Sequence, residues 1–124
     1  MKNEKKVSLI KEEKRLKALK SYDLLDSKRE VEFDRITKLA SLICETPISL
    51  ITLIDENRQW YKSKIGVTID ETNRDIAFCN YAIQQNEVYE VFDASVDDRF
   101  KDNTLHIIVD SNMRLIIISI LQKF

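Results

Sequence analysis

The chain has 124 residues, 44% hydrophobic and 33% charged, with 20 basic against 21 acidic residues and a net charge of -1. This is the make-up of one globular domain with enough apolar residues for a core, and it excludes a disordered chain. The near-neutral balance supplies no field to recruit nucleic acid or an anionic membrane, and no apolar run approaches the roughly 20 residues that span a bilayer.

The opening stretch, MKNEKKVSLIKEEKRLK, is basic but lacks the apolar core of a signal peptide. Cys44 and Cys79 have neither CxxC spacing nor a secreted context, so free thiols and a cytoplasmic location are expected. Residues 3–20 read as a charged helix with a narrow apolar stripe of Leu9, Leu16 and Leu19. Such a stripe suits pairing with a second helix, or lying on its own domain. This divides the chain into an N-terminal helix, 1–22, with a possible dimerisation role, and a domain at 23–124.

A second helix is marked by Ser27 and Glu30, spaced as a capping box, and by Phe33, Ile36, Ala40 and Ile43 at helical spacing. Thr46-Pro47 ends it. Ile48 to Ile54 is apolar on both faces and too short for a typical helix, which predicts a central strand covered on each side. Asp55-Glu56-Asn57 is a turn, and Gln59 to Val67 a second strand with Trp60 and Tyr61 on opposite faces, giving an antiparallel hairpin. Thr72 with Asp75 predicts another helix start, with Ile76, Cys79 and Ile83 on one face and Phe78 and Ala82 flanking it. Val88 to Asp93 alternates like a strand, and Ser95 caps a short helical turn around Asp97 to Phe100. The order predicts an α+β domain with an antiparallel sheet.

Several strings along this path resemble GAF domains of the kind found at the front of bacterial sensor kinases and cyclic-di-nucleotide enzymes. They are Asp55-x-x-Arg58-Gln59-Trp60-Tyr61-Lys62-Ser63, then Arg74-Asp75-Ile76-Ala77-Phe78-Cys79, then Asp93-Ala94 with Asp98-Arg99-Phe100. With the lead-in helices the resemblance covers residues 12–103. It implies a GAF/PAS-like sheet with the N-terminal helices on one face and a pocket-covering helix on the other. It also implies a ligand pocket near Trp60, Lys64, Ile76, Phe78, Cys79, Ala82 and Phe92. A mostly apolar pocket of that kind is what small-molecule sites look like.

After Asn103 the resemblance fails. Ser111-Asn112-Met113-Arg114 matches the start of the family's next strand, but Leu115 to Phe124 does not supply the glycine-bearing turn, final strand and closing helix that the family implies. A frameshift or premature end near Arg114 is the expectation. It would also account for a chain with one glycine, Gly66, and one proline, Pro47. Leu115 to Leu121 remains able to form one strand, and would then be an aggregation segment or dimer seam.

Among candidate chemical groups Cys79 stands first, because a helix start beside Arg74 lowers a thiol pKa. The alternative is a small buried residue packed on Ile76 and Ile83. GAF-fold methionine sulfoxide reductases resemble a several-cysteine mechanism, for which Cys44 is the remaining partner here. His106 is the sole histidine, so no Cys/His zinc site or Ser-His-Asp triad assembles within one chain. Asn80 follows Cys79 where bilin-binding relatives resemble a Cys-His pair, and no glycine-rich phosphate loop is present. Asp55, Arg58 and Lys62 read as hairpin charges that gate a pocket mouth or pair across strands. Trp60 stacks on a planar ligand or covers the sheet.

The sequence therefore predicts a sensory or regulatory module without its own output domain or enzymatic activity. It binds an unidentified small molecule, holds no metal, and forms a homodimer through the N-terminal helix or an exposed sheet edge. A thiol-dependent reductase and a dimerising remnant without a ligand are the alternatives.

Overall fold

The computed structural model describes residues 2–84, 89–91, 98 and 115–117. Its architecture is α+β. Helix α1 (Lys2–Ser21) and helix α2 (Val31–Cys44) precede a three-stranded antiparallel sheet of β1 (Ser49–Ile54), β2 (Arg58–Ile65) and β3 (Glu71–Asn73). A 3-10 turn at Arg74–Ile76 leads into a single turn of helix, α3 (Cys79–Ala82). Strand β4 (Tyr89–Val91) pairs antiparallel with β5 (Leu115–Ile117), so the strand expected in the tail is present. Phe92, His106 and the helical turn expected around Asp97 to Phe100 lie outside the described residues, Asp98 excepted. No helix among the described residues is long and apolar enough to cross a membrane.

The hairpin forms where expected, closed by the Asp55 amide donating to the Arg58 carbonyl at 2.8 Å. β2, rather than β1, is the middle strand of the three, because residues 71–73 add a strand on its far side. That strand contains Thr72, which therefore caps no helix. The cap is Asn73, whose side chain accepts from the Asp75 amide, and the helix expected to run through Ile83 is broken into two short turns. Phe78, Ala77 and Ala82 carry its burial, with Ile76, Cys79 and Ile83 half-buried.

A β-bulge sets the faces of β2. Ile51 pairs with Ser63 and Thr52 with Tyr61, so Lys62 is the extra residue. The alternation of the strand changes phase there. Tyr61 shares a face with Thr52, while Lys62 and Ser63 both meet α2 or the loop before it.

Helix α2 packs on β1 and β2 through Phe33, Thr37, Ala40 and Ser41 rather than through the expected Ile36 and Ile43, which are 57% and 71% exposed. Hydrogen bonds orient it. Ser63 donates to Asp34 (2.6 Å), Thr37 donates to the Asp34 carbonyl (3.0 Å), and the Thr37 and Ser63 hydroxyls lie 2.8 Å apart. The expected capping box is also absent. Glu30 is the N-cap without a side-chain cap bond, and it pairs with Lys62 instead.

Only the C-terminal end of the α1 stripe is buried, with Leu19 at 2% exposure and Leu9 at 65%. Full burial of one leucine contributes about 2 kcal/mol. The scarcity of glycine has a local counterpart. Asp23, Asp26 and Glu45 hold left-handed backbone (φ 53, 59 and 49°) that glycine adopts more cheaply, and Glu45 ends α2 in that way. Asp26 is held there by a two-pronged grip from Arg58, at 2.8 and 2.7 Å. At Gly66 (φ 85°) no substitute fits, because a Cβ would overlap the Pro47 carbonyl.

Candidate functional site

Three polar assemblies organise the molecule. The first joins α1 to the hairpin. Arg15, buried on α1, donates to the Ile54 carbonyl at 2.6 Å and grips Glu12 with two nitrogens at 2.8 and 2.9 Å. Glu12 also accepts from Arg74 at 2.6 Å, and Arg74 reaches Asn80 and the Asp55 and Glu56 carbonyls. The Arg15 hydrogen bonds, reinforced by Arg74, hold the Glu12 carboxyl down to about 2 despite partial burial. One carboxylate thus clamps α1, the hairpin turn and the segment leading into α3.

The second lies on the α2 side of the sheet. The Lys62 ammonium, its side chain 1% exposed, meets Ser27 Oγ, the Lys28 carbonyl and Glu30, each at 2.6 Å, and sits 5.3 Å from the centre of the Phe33 ring. Burying an ammonium is costly unless it is paired and hydrogen-bonded. Beside it an open depression of about 400 Å³ is lined by Asp26, Arg29, Trp60, Lys64, Asp70 and Glu71. Its charged side chains are engaged with neighbouring groups. Lys64 is held by the Thr68 and Ile69 carbonyls and Asp70, while Arg58 bridges Asp26 and Glu71.

The third lies on the opposite face, under the 3-10 turn and α3, and its groups are all neutral. Gln59 Nε2 donates to Thr72 Oγ1 at 3.2 Å and reaches the Tyr61 hydroxyl at 3.5 Å; Thr52 donates to Cys79 Sγ at 3.3 Å. Gln59 and Tyr61 are 3% and 8% exposed. Burial raises the Tyr61 phenol and pushes the Cys79 thiol up, so neither ionises near neutrality. Among the described residues Gln59 Oε1 is buried without a hydrogen-bond donor, and it is the one buried side-chain polar atom in that position. Leaving such an acceptor unmade costs about 1–3 kcal/mol.

The seven residues expected around a pocket are therefore divided. Trp60 and Lys64 line the depression on the α2 side; Ile76, Phe78, Cys79 and Ala82 belong to the opposite side, and Phe92 lies outside the described residues. Of the two sequence readings of Cys79, a thiol activated by Arg74 and a small packed residue, the structure does not show the activated one. Arg74 is engaged with Asn80 and Glu12, the thiol is enclosed and accepts from Thr52, and its pKa moves upward. Cys44, exposed, ends α2 on the other side of the sheet. Gln59, Tyr61 and Thr72 were not among the sequence candidates. The available signal was an amide two residues before Tyr61 in one strand, which alternation places on the same buried face.

Over 80 residues, 64% of this chain, the sequence is 42% identical to a cyclic di-GMP phosphodiesterase of Pseudomonas aeruginosa. The chain spans 14% of that protein's length. No family model matches the chain.

Proposed function

We propose that this chain is a GAF-like regulatory module that binds a small molecule on the α3 side of its sheet and passes the change to a signalling partner through α1. The observation that carries this reading is the match itself. Identity of 42% concentrated on 14% of a much longer cyclic di-GMP phosphodiesterase is the pattern expected of a module shared between signalling proteins. The Glu12 clamp supports the coupling, since it connects α1 directly to Arg74 and, through Arg74, to Asn80 of α3. A ligand that shifts residues 74–82 has a short mechanical path to the N-terminal helix. A thiol reductase requires an activated sulfur, and the surroundings of Cys79 work in the other direction.

A thermal-shift series with cyclic nucleotides, including cyclic di-GMP, with amino acids and with tetrapyrroles tests this. At least one compound is expected to raise Tm saturably, because a ligand at 100 times its Kd stabilises the native state by about 2.7 kcal/mol. A flat response across all three classes would leave a dimerising remnant as the better account.

A further inference from the structure

We infer that Gln59 is the anchor of a binding site on the α3 side of the sheet, its Oε1 accepting from an uncharged small molecule that presents an N–H or O–H donor. This rests on the reading of the chain as a small-molecule-binding module, and it names the chemistry of the ligand. Four observations carry it.

Gln59 is 3% exposed, on the middle strand, with Oε1 buried and unpartnered among the described residues. Native interiors pair nearly all such atoms, and a persistent exception needs a reason. Turning the amide over does not remove the exception. The Tyr61 and Thr72 hydroxyls would then donate to the oxygen, leaving the nitrogen's protons unpartnered instead. The amide is also held in place, because its nitrogen is within hydrogen-bonding distance of two hydroxyls from β2 and β3. Held groups with spare capacity are what recognition of a ligand's polar edge requires.

The class of ligand follows from the company Gln59 keeps. Thr52, Tyr61, Thr72 and Cys79 are neutral polar groups, and Ala77, Phe78 and Ala82 are the buried apolar residues of the segment from the 3-10 turn through α3. The cations of the hairpin are committed elsewhere: Lys62 to the α2 side, Arg58 to Asp26 and Asp55, Arg74 to Glu12 and Asn80. A charged ligand would lose its hydration without a countercharge, whereas a neutral amide or heterocycle edge would not.

The test is an NMR titration of the full 15N-labelled chain with uracil, adenine and nicotinamide, with nicotinate and adenosine monophosphate as charged counterparts. At least one neutral probe is expected to shift the Gln59 side-chain amide saturably, with its charged counterpart at least tenfold weaker. Gln59→Met removes the acceptor at similar size, and Gln59→Asn draws the amide back by one methylene. Both are expected to weaken that probe at least tenfold while the amide spectrum stays dispersed. The inference is overturned if no probe moves the Gln59 amide, which leaves an ordered water as its partner. A charged counterpart that binds as tightly, or variants that bind like the parent, overturn it as well. A compound that raises Tm in the thermal-shift series and binds Gln59→Met unchanged would keep the module reading and remove only this one.

Discussion

The two faces of the sheet treat buried polarity in opposite ways. On the α2 side a full ammonium is buried at Lys62 with three oxygen partners and an aromatic ring, and Ser63, Thr37 and Asp34 complete a closed set of hydrogen bonds. On the α3 side the side chains that meet Gln59 are neutral hydroxyls, and one of its amide atoms has no partner among the described residues. A closed polar set rigidifies the elements that share it, while an incomplete one retains capacity for a further partner. The difference separates a face that holds the loop at 23–30 and α2 in place from a face able to recognise something else.

The strongest way to break that comparison is to remove the Lys62 ammonium. Lys62→Ala leaves Ser27 and the Lys28 carbonyl without their partner and is expected to cost about 3 kcal/mol, read as a lower urea midpoint at unchanged m-value. A loss below about 1 kcal/mol would mean the α2 side is not held by this group. Next in size, Thr37→Val removes the buried bond to Ser63 while keeping the side-chain shape, with about 1–2 kcal/mol lost in the same measurement.

The Glu12 clamp sharpens the contrast by its pH dependence. Its folded pKa, about 2, lies below the ordinary value of 4.5, so its contribution is complete above about 4.5 and is lost as pH falls toward about 2. For a carboxylate with 30% of its side chain exposed, screening reduces this to about 1 kcal/mol. Glu12→Gln is expected to flatten that part of the Tm profile between pH 5 and about 2. A profile that is unchanged by the substitution would show that α1 is held by other contacts. The smallest effect is expected at Gln59. Gln59→Met exchanges an incompletely partnered amide for an apolar side chain of similar size, and should move stability by less than about 1 kcal/mol in either direction. A large loss there would make the two faces alike.

The hairpin was legible because its signals are local: an apolar strand, an Asp-Glu-Asn turn and an alternating strand adjoin each other in the sequence. The helix expected at Thr72 was not, since a Thr-x-x-Asp pattern competes with pairing of residues 71–73 onto β2, and the pairing wins. The buried face of α2 departs from its periodicity for a related reason. Periodicity favoured Ile36 and Ile43, but the bulge that turns Ser63 toward α2 rewards Thr37 and Asp34, and leaves Ile36, Leu39, Leu42 and Ile43 exposed. A one-residue bulge has no reliable sequence signature here, because Lys62 reads as a solvent-facing position of an ordinary strand.

The candidate site divides along the same line. Its apolar members Phe78 and Ala82 were visible as a buried pattern near the expected helix, whereas Gln59 became notable only when its neighbours could be counted. The sequence by itself determined the α+β class, the hairpin and the position of the segment over the second face, because backbone propensity and hydrophobic period act over a few neighbouring residues. The tertiary structure alone decided which polar groups are closed and which remain open. Hydrogen-bond satisfaction is a property of groups brought together from distant positions, as Arg58 with Asp26, Lys62 with Ser27 and Gln59 with Thr72 are.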